Sequence, residues 1–132
     1  MSSVSPNSFM NLSSSLTSLR LFDCGLKGRF PDNIFHLPNL QLLYVGYNYN
    51  LTGSLPTNLK SLKELYLRGC NFIGSYPTFL PNLTQITFLA LSNNNFGGQF
   101  PWSFLNFEVL TYLDLSGNNF IGQLLEITTN LT

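Results

Sequence analysis

The stretch Ile86–Pro101, ITFLALSNNNFGGQFP, decides how this chain is read, because it recurs. From Leu110 the sequence runs LTYLDLSGNNFIGQLL, from Leu62 LKELYLRGCNFIGSYP and from Leu16 LTSLRLFDCGLKGRFP. A fixed period in the twenties means one supersecondary unit stacked on copies of itself, with no single central core. In the front half of each unit the alternation Leu19-Arg20-Leu21 has period two, which predicts a short strand with one buried face. Its equivalents are Leu43-Tyr44-Val45, Leu65-Tyr66-Leu67, Leu89-Ala90-Leu91 and Leu113-Asp114-Leu115. Stacked in register, they predict a parallel sheet along one side of the coil. The back half, such as Pro77-Thr78-Phe79-Leu80-Pro81-Asn82-Leu83, has apolar residues three apart, which suits a turn of 3₁₀ helix or irregular coil.

The period divides the chain into one continuous array. Residues 1–15 are the tail of a partial repeat, 16–39 a whole repeat, 40–61 an irregular one, 62–85 and 86–109 whole repeats, and 110–132 a truncated one. Repeat 40–61 carries an extra residue within Asn48-Tyr49-Asn50-Leu51. After Pro56 it reaches Leu62 in six residues, where Pro31 reaches Leu40 in nine. No apolar core of a signal peptide follows Met1, and both ends fall in mid-repeat without polar caps. The expectation is an internal piece of a longer protein or the product of a truncated gene.

Each column of the repeat has a physical task. Cys24, Asn48, Cys70, Asn94 and Asn118 end the strand, where the turning backbone leaves polar groups inside the coil that must find partners. An asparagine amide both donates and accepts, whereas a thiol is a weak donor. Cys24 and Cys70 are therefore expected as buried free thiols. Two strand spacings separate them by ~10 Å, beyond the ~7 Å limit of a disulfide. Leu26, Leu51, Phe72, Phe96 and Phe120 form an inward column. Gly28, Gly53, Gly74, Gly98 and Gly122 follow it and suggest positive φ or close approach of the neighbouring coil. Pro31, Pro56, Pro77 and Pro101 remove a donor and stop pairing.

Composition narrows the function classes. Charged residues are only 9% of the chain, net charge is zero and no Lys/Arg cluster appears, so nothing here neutralises phosphates and nucleic-acid binding is set aside. No apolar run approaches the ~18 residues of a membrane span. Membrane attachment is expected only through segments missing from this chain. No Cys/His cluster has metal-ligand spacing, no phosphate-cradling loop occurs, and no nucleophile has a base beside it. The chain reads as a non-enzyme without metal or cofactor.

The run L-x-x-L-x-L-x-x-N-x-F-x-G-x-F-P resembles the plant-type leucine-rich repeat, over nearly the whole chain. The wording LTYLDLSGNNFIGQL and YNYNLTGSLP is similar to receptor-like proteins of the Cf disease-resistance type and to receptor-like kinases. The resemblance implies an α/β-type solenoid, a right-handed superhelix with a parallel β-sheet on the concave face and irregular or 3₁₀ turns on the convex face. It further implies an extracellular ectodomain, at the plasma membrane or in the apoplast, that binds a peptide or protein on the strand face in defence or developmental signalling. A co-receptor is a further expected partner. Two alternatives stay open: a secreted inhibitor of microbial cell-wall hydrolases of the polygalacturonase-inhibiting type, and a truncated product with no independent role.

Two sets of residues are left over by the repeat. The sequons at Asn11, Asn50, Asn82 and Asn130 are candidate glycan acceptors, and Asn11, Asn82 and Asn130 share one phase on the back of the coil. His36 occupies that phase as a lone, exposed histidine. The outward positions of the strand face supply the candidate ligand residues Arg20, Phe22, Tyr44, Tyr47, Tyr66, Arg68, Phe88, Tyr112 and Asp114. Tyr, Arg and Phe on a solvent-facing surface have the composition of binding hot spots. Within that set Arg68 is expected to pair with a ligand carboxylate, and Asp114 with a basic group at the other end.

Overall fold

The computed structural model describes residues 2–3, 12–56, 59, 61–75, 85–99 and 109–121. Along the chain the strands are β1 (Ser2–Ser3), β2 (Ser18–Arg20), β3 (Leu26–Arg29), β4 (Leu42–Tyr44), β5 (Asn50–Gly53) and β6 (Glu64–Tyr66). They continue as β7 (Asn71–Ser75), β8 (Phe88–Ala90), β9 (Asn95–Gln99), β10 (Tyr112–Asp114) and β11 (Asn119–Ile121). The chain is a leucine-rich-repeat solenoid. The sequons Asn11, Asn82 and Asn130 lie outside the described residues. Asn50 is exposed at the start of β5.

The L-x-L segments make a five-stranded parallel sheet in the order β10-β8-β6-β4-β2. Its register aligns Leu19, Leu43, Leu65, Leu89 and Leu113 as consecutive partners, so equal positions in the repeat lie side by side. The last four are fully buried. Alternate residues face outward, and the period-two pattern decides which side is which.

A second parallel sheet, in the order β1-β3-β5-β7-β9-β11, was not legible in the sequence. Its strands are rich in Asn and Gly, which are poor strand formers, so propensity gives no signal there. Pairing with the next coil supplies their hydrogen bonds instead. This sheet is staggered: Gly53 lies opposite Phe72, Gly74 opposite Phe96 and Gly98 opposite Phe120. A two-residue shift preserves which side faces inward, where a one-residue shift would invert it. The stagger also explains the glycine column. A Cβ placed on Gly53 would stand 3.0 Å from the Phe72 ring. The glycine therefore makes room for an aromatic side chain of the following repeat.

After β3, Phe30 and Pro31 are buried and the chain enters a 3₁₀ helix, Asp32–His36. Its Ile34 and Phe35 face the core, as the three-residue spacing of Pro31, Ile34 and Leu37 predicts. It is the only helix among the described residues. Inside the coil Phe30 meets Phe35 edge-on at 5.7 Å and Phe72 at 6.2 Å, and Phe96 stacks with Phe120 at 6.5 Å. The interior rings thus pack in two groups, Phe35–Phe30–Phe72 and Phe96–Phe120.

Each asparagine of the turn column joins two coils. Asn94 Nδ2 donates to the carbonyls of Leu67, Leu91 and Ser92, while its Oδ1 accepts the N–H of Phe72 at 3.0 Å. Asn118 repeats the pattern on Leu91, Leu115, Ser116 and the Phe96 N–H. Asn48 Oδ1 accepts from both Cys24 and Leu26. Cys70 is a buried free thiol, its pKa pushed up to about 11 by burial against the opposing pull of the Asn48 backbone. Cys24 is also free, but it is exposed rather than buried. In place of a buried partner its thiol donates to the Phe22 carbonyl at 3.2 Å.

The residue before this column has positive φ in every repeat: Asp23 51°, Tyr47 60°, Gly69 69°, Asn93 57° and Gly117 67°. Gly, Asn and Asp visit this left-handed region readily, whereas a bulky residue there is strained by about 1–2 kcal/mol. Tyr47 is the exception in its column.

Candidate functional site

The outward side of the five-stranded sheet carries the chemistry the repeat leaves free. Phe22 packs on Tyr44 with ring centroids 4.9 Å apart, and Tyr44 stacks on Tyr66 at 4.6 Å and 10°. Tyr66 stacks on Phe88 at 4.4 Å, and Phe88 on Tyr112 at 4.1 Å and 3°. Five repeats thus contribute one ring each to an unbroken ladder. It runs obliquely, because the rings come from different positions of the repeat. Each stacked pair adds about 0.5–1.5 kcal/mol beyond the area it buries.

Ala90 sits in the sheet between Tyr66 and Asp114 and is fully buried. A small residue there leaves a gap in the outward row, and the Arg68 side chain crosses that repeat. Its Nη2 hydrogen-bonds the Tyr112 hydroxyl and lies 3.5 Å from Asp114 Oδ2, with the guanidinium 5.4 Å from the centre of the Tyr112 ring. Burial would lower the arginine's pKa, but Tyr112 and Asp114 outweigh it and the net shift is upward. Asp114 is only 5% exposed, and its Oδ1 accepts from the N–H and Oγ of Ser116. Arg68 and Asp114, expected to make separate ligand contacts, also form an ion pair with each other. The pair leaves Arg68 Nε buried without a hydrogen-bond partner.

Tyr66 donates to Glu64 Oε1 at 2.7 Å. Burial, the Glu64 hydrogen bond and the Glu64 charge push its phenol up to about 12, so it stays a neutral donor across the physiological range. Arg20 is exposed at the end of β2, and Phe22 is 49% exposed. Tyr44, Tyr47, Tyr66, Arg68 and Phe88 together line a recess of about 100 Å3. The structure thus brings Phe22, Tyr44, Tyr47, Tyr66, Arg68, Phe88, Tyr112 and Asp114 into one surface, with Arg20 at its margin.

One contributor was missed in the sequence, and one bond. Glu64, an outward residue of the strand face, orients the Tyr66 phenol. Tyr49, the extra residue of the irregular repeat, is 68% exposed and meets the Tyr47 ring at 6.5 Å. The insertion itself was the available signal for Tyr49. Among the described residues no group of acidic, histidine and cysteine side chains is arranged to hold a metal ion, and His36 is exposed away from this face.

The Leucine Rich Repeat family model matches residues 15–37, 61–83, 85–107 and 109–131. The chain belongs to the leucine-rich repeat family. The irregular repeat falls in the gap between matched segments, as its insertion and short back side would suggest. Receptor-like protein 6 of Arabidopsis thaliana is 42% identical over 79 residues, covering 58% of this chain and 8% of that protein. Receptor-like protein Cf-9 of Solanum pimpinellifolium is 38% identical over 80 residues, covering 58% of this chain and 9% of that protein. The chain thus spans under a tenth of the length of these curated relatives.

Solved plant receptor-kinase ectodomains share the leucine-rich-repeat fold with this chain. The Arabidopsis thaliana GASSHO1/SCHENGEN3 ectodomain, in complex with CASPARIAN STRIP INTEGRITY FACTOR 2, superposes with a TM-score of 0.72 at 32% identity. That match covers 84% of this chain and 14% of the ectodomain. The Arabidopsis receptor kinase HAESA, in complex with the peptide hormone IDA and the co-receptor SERK1, gives 0.70 at 28% identity, over 81% of this chain and 18% of HAESA. Among the described residues no helix is long and apolar enough to cross a membrane.

Proposed function

We propose that this chain is a ligand-recognition segment of a plant cell-surface receptor, held on the extracellular side, and that its strand face takes an extended peptide or a peptide-like loop of a protein. The observation that carries the proposal is the five-ring ladder beside a neutralised Arg68–Asp114 pair. Rigid aromatic residues give large contact area at low entropic cost, and a half-buried charge pair beside them fixes register. Five strands at ~4.8 Å span about 20 Å, room for roughly six residues of extended chain at ~3.3 Å each. A polysaccharide would need free ring faces on which to stack, and those faces are occupied within the ladder. This weighs against direct reading of a sugar polymer. The receptor-like relatives, and the two ectodomains whose complexes are described above, support the same reading. The role is non-enzymatic binding, with attachment to the membrane and any co-receptor contact supplied elsewhere in a longer protein.

Panning a library of random decapeptides against the chain tests this. The wild type and His36→Ala should enrich the same peptides, while Tyr44→Ala/Tyr66→Ala should lose them by at least about tenfold, the weight of one good anchor. Loss with His36→Ala and retention with the double tyrosine change, both proteins folded, would sink the proposal.

A further inference from the structure

Resting on the extracellular placement proposed above, but not on the ligand, we infer that Asn50 carries an N-linked glycan whose first sugar rests on Tyr49. Strands β5, β7, β9 and β11 all begin with an asparagine: Asn50, Asn71, Asn95 and Asn119. Two residues on, Ile73, Gly97 and Ile121 stand in β7, β9 and β11, and only β5 has a hydroxyl, that of Thr52. That hydroxyl completes the acceptor sequence. Asn50 is exposed at the start of β5, while Leu51 beside it is fully buried. Amides of this column pair elsewhere, Asn119 Nδ2 donating to Asn95 Oδ1. The Asn50 amide has no hydrogen-bond partner among the described residues, so a glycan on it displaces no contact. The donor is an oligosaccharide carried on a lipid diphosphate. Asn50 Nδ2 gives up one proton to solvent and forms the bond to sugar C1. The C1–O bond to the diphosphate breaks, and the lipid diphosphate leaves with the electron pair.

The inserted residue supplies the platform. The turn over Asn48-Tyr49-Asn50-Leu51 is closed by the Leu51 N–H donating to Asn48 O at 3.0 Å, which fixes Tyr49 relative to Asn50. Thr52 lies opposite Asn71, so two residues back along both chains Asn50 comes beside Gly69. A Cβ on Gly69 would stand 3.4 Å from Tyr49 Cε1. Acceptor and ring therefore border the same glycine. Tyr47 and Tyr49 brace each other edge-on at 6.5 Å and 61°, yet Tyr49 keeps 68% of its surface in solvent. The face of an aromatic ring is negative and the C–H bonds of a sugar ring are weakly positive. A sugar thus packs on the ring much as an aromatic edge does. No other start of a strand in this sheet pairs an unbonded asparagine with so exposed a ring among the described residues.

The experiment sends the full chain into the secretory pathway of cultured plant cells with an added signal peptide. Wild type, Asn50→Gln, Tyr49→Ala and the double variant are compared, and the same four are made in bacteria, which add no such glycan. Peptide masses before and after enzymatic release read the occupancy of Asn50, on secreted and retained chain alike. Most wild-type molecules should carry the glycan there. Asn50→Gln should lower the melting midpoint of the plant-cell protein by about 3 °C and that of the bacterial protein by less than about 1 °C. With Tyr49→Ala already present, the plant-cell loss should shrink to the bacterial one. A second readout needs no melt: the ring current of Tyr49 should shift protons of the first sugar upfield, and Tyr49→Ala should abolish that shift. A bare Asn50, whatever the state of Asn11, Asn82 and Asn130, overturns the inference. An occupied Asn50 with equal melting losses in both Tyr49 backgrounds, or with no upfield shift, overturns the platform. Panning of the bacterial chain tests the strand face separately, so failure of the peptide reading and failure of this inference are told apart.

Discussion

The Asn94 amide meets four backbone groups: the carbonyls of Leu67, Leu91 and Ser92 and the N–H of Phe72. One repeat earlier, in the same column, the Cys70 thiol reaches Val45 O at 3.3 Å and Arg68 O at 4.0 Å. The thiol replaces the donating half of the amide and leaves the accepting half undone. In the regular turns the N–H that needs an acceptor belongs to Leu26, Phe72 or Phe96, and Asn48, Asn94 or Asn118 of the next repeat provides it. The corresponding N–H before Cys70 is that of the buried Leu51. It donates instead to Asn48 O at 3.0 Å, within its own repeat. That bond closes a turn over Asn48-Tyr49-Asn50-Leu51, which exists because this repeat has one residue more. The irregularity of repeat 40–61 and the thiol of the next repeat are therefore two sides of one solution. A buried donor must be met, from across the coils or from within.

The largest effect expected from this contrast is that of Asn94→Ala against Cys70→Ala. The first leaves the Phe72 N–H and the Leu67 carbonyl without their partner, at ~1–3 kcal/mol each, so about 3 kcal/mol or more is lost. The second removes one weak donor and should cost about 1 kcal/mol. Urea midpoints at unchanged slope would measure both. Equal losses would mean that the amide is no more than a space-filler. Asn93→Ala, next door and exposed, should cost about 1 kcal/mol through its φ of 57°, and Asn93→Gly almost nothing.

That neighbour shows where legibility stopped. The repeat column places Asn94 inside the coil, whereas strict alternation from Leu89 and Leu91 would bury Asn93, which the left-handed turn instead leaves exposed. The left-handed column running through Asp23, Tyr47, Gly69, Asn93 and Gly117 needs a different kind of reading. Its members share no polarity or size, only tolerance of positive φ, and Tyr47 breaks even that. The second sheet was hidden for a related reason. Its pairing pattern is made by the neighbouring coil, and its two-residue stagger has no trace in any one repeat. At the candidate site the residue set came from the positions between and beside the buried apolar residues of each strand. The pairing of Arg68 with Asp114 did not, because it spans two repeats and depends on the small side chain of Ala90 between them.

The thiol also differs from the amide in being able to ionise. Burial raises the Cys70 pKa from about 9 to about 11. Between those values the unfolded chain has released its proton while the folded chain retains it, so the unfolded state binds fewer protons and stability must fall as pH rises. Two pH units correspond to about 2–3 kcal/mol, fully present below pH 9 and gone by pH 11. The Tyr66 phenol, pushed up to about 12, stays protonated through this window. The difference between wild type and Cys70→Val, followed by urea midpoints from pH 8 to pH 11, isolates the thiol. Parallel pH curves would show that the thiol is not desolvated as its burial implies.

The coupling between the insertion and the thiol tests the comparison most directly. Deleting Tyr49 restores the two-residue spacing between the turn column and the inward column that Asn94–Phe96 and Asn118–Phe120 have, and removes the turn through which the Leu51 N–H finds Asn48 O. With Cys70 in place no side-chain oxygen waits across the coil, so the buried N–H is left unpaired and the deletion should cost about 1–2 kcal/mol. In a Cys70→Asn background the new amide stands where Asn94 and Asn118 stand in their repeats, and can accept from Leu51 as they accept from Phe72 and Phe96. There the same deletion should be close to neutral. The coupling between the two changes, about 1 kcal/mol or more from a double-mutant cycle, is the quantity to measure. Tyr49 is 68% exposed, so loss of its own packing adds little to either leg. A deletion that costs the same in both backgrounds would uncouple the insertion from the thiol. The extra residue would then belong to the strand face alone, as the brace of Tyr47.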